Sequence, residues 1–172
     1  MSTAVLLLLG LVGLAGLALA LRGERGTGAA GAVALVGSLG VAAAFAWPVD
    51  GGAGVAQAGA ALAALAAVTG GGPVATAVLH AADPAATGVS GGPQDPEILR
   101  GGAWIGVLER GAIAATLLVG WPEGLAVVLA VKGLGRFSEL RAPAAAERFI
   151  VGTLASGLWA AACVGVAVLL RS

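Results

Sequence analysis

Six charged residues stand within otherwise apolar C-terminal stretches: Glu109, Arg110, Lys132, Arg136, Glu147 and Arg148. Charged side chains are expensive in an apolar solvent, so each is a candidate functional residue. Such a set can do three kinds of chemistry. It can form an ion-pair network that fixes helix packing. It can hold an anion, most simply a lipid phosphate, on arginine and lysine. It can pass a proton or small ion along Glu109 or Glu147. Four positives stand against two negatives, so the cluster carries 4 − 2 = +2 when all are ionised.

Spacing suggests which of them meet. A turn at Gly120-Trp121-Pro122-Glu123-Gly124 reverses the chain. Glu109 precedes its centre, and Lys132 follows it, by nearly equal lengths. At 1.5 Å per residue both lie roughly 17 Å from that turn, and are therefore level. The next reversal brings Glu147 to the same height. Lys132 and Arg136 are four apart, hence on one helix face. The expected network is Glu109, Lys132 and Glu147, with Arg136 nearer the cytoplasm. Arg110 and Arg148 each follow a glutamate and so point about 100° away from it. They are expected to snorkel to the interface or to add to an anion site.

Other chemistry is poorly provided for. His80 is the single histidine and Cys163 the single cysteine, so one chain offers no disulfide, no bis-histidine haem and no His-Glu-x-x-His zinc site. No phosphate-binding loop, nucleophile motif or pair of intramembrane aspartates is present. No catalytic residue, metal or cofactor is expected, and an enzyme acting on a lipid phosphate is the weakest alternative.

The elements holding these residues follow from composition. Of 172 residues, 59% are hydrophobic, 30 are glycine and only 10% are charged, nine of each sign. Mean hydropathy is +0.99. Soluble domains carry about 25% charged residues. The charge here is too sparse to coat a water-facing surface, which excludes a soluble enzyme and a nucleic-acid binder. The apolar bias excludes disorder. An integral membrane protein remains.

Six apolar stretches approach the roughly 20 residues of a membrane-spanning helix. They are Ala4–Leu21, Ala29–Trp47, Gly51–Thr69, a fourth from Asp95-Pro96-Glu97 to Val119, a fifth ending near Phe137, and Pro143–Leu170. Asp95 reads as an N-cap, with Pro96 and Glu97 in the first turn. The third stretch meets Gly70-Gly-Gly-Pro73. Either the helix ends there and a short interfacial helix covers 73–82, or a membrane helix is broken as in transporters. The expected organisation is 1–82 with three spans, a cytoplasmic loop over 83–94, and a C-terminal three-helix unit over 95–172. Alternating crossings put Arg22, Arg25, Arg100, Arg136 and Arg141 on one side, which the positive-inside rule makes cytoplasmic. Both termini then lie outside. Trp47, Trp104 and Trp121 fall near span ends as an interfacial belt would; Trp159 does not. Small residues recur at helix-contact spacing at Gly102 and Gly106, and at Gly152, Ser156 and Ala160.

The C-terminal unit resembles an uncharacterised family of bacterial integral membrane proteins. The matching residues are Gly106-Val107-Leu108-Glu109-Arg110, Lys132, Arg136-Phe137, Ala146-Glu147-Arg148-Phe149-Ile150-Val151-Gly152-Thr153-Leu154 and Ser156. The resemblance covers residues 102–165. The N-terminal half departs from it, lacking the family's histidine and aspartate in the first span. The likeness implies that Glu109, Arg110, Lys132, Arg136, Glu147, Gly152, Thr153 and Ser156 belong to the family signature. It supplies no activity.

The expectation is an all-α polytopic protein of a bacterial inner membrane with about six transmembrane helices. Its expected role is a non-enzymatic structural or accessory subunit, with anionic phospholipid, a second copy or a larger membrane complex as partners. A proton or small-ion carrier is the alternative.

Overall fold

The computed structural model describes residues 2–22, 29–46, 52–82, 102–137, 139–141 and 143–171. These form helices α1 (Ser2–Arg22), α2 (Ala29–Ala46), α3 (Ala53–Ala82), α4 (Gly102–Leu118), α5 (Gly124–Gly135) and α6 (Pro143–Leu169), with a 3-10 turn at Glu139–Arg141. Among the described residues there is no strand. The all-α architecture is as expected.

Helices α1 and α2 are apolar over nearly all of their surface. On α1, Leu7, Leu11, Leu14 and Leu21 face outward, while Val5, Leu9, Val12, Gly13 and Gly16 face inward. Leucines on the outer surface and glycines at the helix contacts suit an apolar solvent, where close backbone approach drives association. Helices α1, α2, α3 and α6 are long and apolar enough to cross a membrane. Helix α5 has 12 residues. That is a rise of about 18 Å, against roughly 30 Å of bilayer hydrocarbon.

Helix α3 is the hub and packs on α1, α2, α4 and α6. It lies parallel to α1 with matched steps: Gly10 meets Leu62, Gly13 meets Ala66 and Gly16 meets Gly70. It lies antiparallel to α6, where Leu79 meets Gly152 and Gly59 meets Leu170. Arg171 Nη1 donates to Leu118 O at 3.2 Å, so α6 ends beside the end of α4. The start of α1, the α4–α5 turn and the end of α6 therefore share one end of the bundle. Arg22, Ala82, Arg136 and Pro143 share the other.

Two local features differ from, or sharpen, the expectation. Helix α3 does not stop at Thr69. It continues through Gly70-Gly71-Gly72-Pro73 to Ala82, so no separate interfacial helix covers 73–82 and the helix is unbroken. Glycine and proline end helices in water, but neighbouring helices pack against these glycines and keep the segment helical. The α4–α5 reversal lies where the Gly/Pro cluster placed it. Gly120 has φ 77°, and the N–H groups of Gly120 and Trp121 donate to Leu117 O and Thr116 O. That is a Schellman cap, which requires the left-handed residue glycine supplies. The expected helix start at Asp95, Pro96 and Glu97 lies outside the described residues, as do Trp47 and the 83–94 loop.

Candidate functional site

Among the described residues Arg110 is the one buried charge. Helix α4 directs it toward α3 and α6, where it is 7% exposed. Its Nε donates to Val68 O at 2.8 Å, and its Nη1 lies 3.4 Å from Ser156 Oγ. A carbonyl oxygen has two lone pairs, so Val68 O can accept this bond in addition to its helical one. Space for the side chain comes from glycines. An ideal Cβ on Gly71 would lie 2.2 Å from Arg110 Cδ, and one on Gly106 would lie 3.0 Å from Nη1. Arg110 was expected to snorkel to the interface or to add to an anion site. It turns inward instead, because α3 offers it a smooth glycine surface and an accessible carbonyl.

The same stretch of α3 receives two further polar contacts. Trp159 Nε1 donates to Ala66 O at 3.0 Å. Its ring lies over Gly70, where a Cβ would come within 2.6 Å of Cζ2. Thr69 Oγ1 sits 2.8 Å from Leu65 O and 2.9 Å from Gly13 O, so its one proton is shared between its own helix and α1. Residues 65–71 thus collect polar contacts from α1, α4 and α6. Thr69, Gly70, Gly71 and Trp159 were not recognised from sequence. The signals were present: a run of three glycines, and the one tryptophan outside the interfacial belt.

A second cluster lies beside the first. Lys132 and Glu109 form an ion pair, both half-buried. Their predicted equal height holds. Lys132 Nζ also stands 5.7 Å from the centre of the Phe149 ring, a cation–π contact. Glu147 is not a member of the network. It is exposed and lines a cleft of about 160 Å³ with Leu79, Ala144 and Arg148. The reason is rotation about the helix. Residues two positions apart on an α-helix differ by about 200° in direction, so turning Phe149 toward Lys132 turns Glu147 away. Height was legible from spacing, but azimuth was not.

The remaining candidate residues divide similarly. Arg136 and Arg148 are half-buried, and each is engaged within the protein. Gly152 packs under Leu79, where a Cβ would meet Cδ1 at 3.3 Å. Ser156 joins Arg110. Thr153 Oγ1 is enclosed, with no hydrogen-bond partner among the described residues. His80 is exposed on the last turn of α3. Trp104 and Trp121 are exposed, as an interfacial belt requires.

Chemically, the arrangement joins helices. Arg110 bridges α4 to α3 and α6, and the Lys132–Glu109 pair bridges α5 to α4. Comparison of the chain with protein-family models, with curated proteins and with solved structures gives no match.

Proposed function

We propose that this chain is a non-enzymatic structural or accessory subunit of a bacterial inner membrane, and that its intramembrane charges serve helix assembly. The observation that carries this reading is the burial of Arg110. A guanidinium that is 7% exposed and bonded to Val68 O is turned toward protein instead of toward a ligand. Lys132 is likewise taken up by Glu109 and Phe149. With its cations engaged in this way, the cluster itself is a poor anion trap.

In this reading the end of the bundle that carries Arg22, Arg136, Arg141 and Arg148 faces the cytoplasm, where positive charge concentrates. Both termini face outward. The last three helices belong with the uncharacterised bacterial membrane family they resemble. The chain works by packing against a partner, either another copy or another membrane subunit.

The competing reading is proton or small-ion carriage through Glu109. Purified protein reconstituted into vesicles carrying a pH gradient separates the two. The structural reading expects decay no faster than in empty vesicles. Faster decay that disappears in Glu109→Gln would overturn it.

A further inference from the structure

A groove of about 300 Å³ runs between α1 and α2. It is lined by Leu11, Ala15, Leu19 and Arg22 of α1 and by Ala34 and Leu35 of α2. Its walls are apolar over most of their length, and a cation stands at one end. None of these residues takes part in the Arg110 or Lys132 clusters.

Two measurements of this groove point to the same occupant. The first is its length. From Leu11 to Arg22 the rise along α1 is about 17 Å. One leaflet of bilayer hydrocarbon is about 15 Å thick, half of a core of roughly 30 Å. The groove therefore begins near the middle of the membrane and opens at headgroup height. The second is its charge. Arg22 ends α1 and is exposed. It lies where the phosphate of a lipid seated in the groove would be, and arginine recognises phosphate with a planar fork of donors.

We infer that the α1–α2 groove is a binding site for one acyl chain of an anionic phospholipid, with Arg22 holding its headgroup phosphate. An apolar groove on the lipid-facing side of a membrane helix pair is in contact with acyl chains already. Shape retains the chain, and Arg22 selects its head. Ala15, Ala18 and Ala34 keep the groove open, because each is the smallest side chain that still favours a helix. Gly31 lets Leu19 pack at its mouth, since a Cβ there would meet Leu19 Cδ1 at 3.2 Å. The inference does not rest on the structural reading of Arg110, and either can fail alone.

The test is native mass spectrometry of the full chain in detergent, titrated with phosphatidylglycerol or phosphatidylcholine of equal chain length. Wild type should retain phosphatidylglycerol in preference to phosphatidylcholine. Arg22→Gln should weaken retention of phosphatidylglycerol about fivefold, the attraction of one arginine to an anionic surface, and abolish the preference. Ala34→Leu fills the groove from an exposed position and should reduce retention of both lipids. Equal retention of the two lipids by wild type would overturn the inference. So would undiminished phosphatidylglycerol binding in both variants.

Discussion

A guanidinium carries five N–H donors in a rigid fork, and in an apolar interior every one left unpaired is costly. Arg110 places two of these donors by reaching from α4 to a main-chain carbonyl at Val68 and to the Ser156 hydroxyl. Gly71 makes the reach possible, so its side of the contact can be tested independently of charge. Gly71→Ala would place a Cβ 2.2 Å from Arg110 Cδ, in the pinned middle of the side chain and not at its mobile tip. The expected cost is that of overpacking, about 1–3 kcal/mol, seen as a lower thermal unfolding midpoint in detergent. An unchanged midpoint would show that the arginine can move aside freely. At this scale the sequence named Arg110 and Ser156 but did not pair them. It paired Glu109 with Lys132 because equal height is a matter of counting residues. It placed Glu147 wrongly because the facing direction of α6 depends on Phe149 and on packing against α3.

Helices here are held apart or together by single atoms. Where α1 and α3 run side by side, Gly16 touches the backbone of Gly70, and an added Cβ would lie 2.8 Å from its Cα and N. Gly16→Ala must separate two backbones, so a loss of about 1–3 kcal/mol is expected. Gly37 on α2 has nothing within 4 Å of its ideal Cβ. Gly37→Ala should leave the thermal midpoint unchanged or raise it slightly, since alanine favours helix by up to about 1 kcal/mol. Comparing the two variants in one detergent checks the claim, and equal effects would contradict it. Six helices in this order were legible from the apolar runs, but that only four of the described ones are long and apolar enough to span a membrane was not. The continuity of α3 was not. Gly70-Gly-Gly-Pro73 reads as a stop only if the surroundings are water, and here the surroundings are Arg110, Trp159 and α1. Gly152 and Ser156 were correctly read as a contact stripe because their spacing of four survives any rotation of the helix.

At the scale of the molecule, charge has two destinations. Arg110, Lys132 and Glu109 lie inside the helical assembly, while Arg22, Arg141 and Glu147 are exposed at one end. Contacts between helices fix which ends lie together, and the positive residues propose which end faces the cytoplasm. Single cysteines introduced at Glu123 and Arg141 should label from opposite sides of intact cells or vesicles, with Glu123→Cys reached from outside. Labelling of both from one side would contradict the arrangement. Net charge was zero in composition, but its placement separates residues that hold the bundle from those exposed at its end. Arg110 fastens α4 to α3 and α6. Thermal unfolding of Arg110→Ala in detergent tests it most directly. Losing charge-assisted hydrogen bonds at a buried site should cost about 2 kcal/mol, a fall of roughly 5 °C in the midpoint. A variant that unfolds at the same temperature as the wild-type chain would contradict the account.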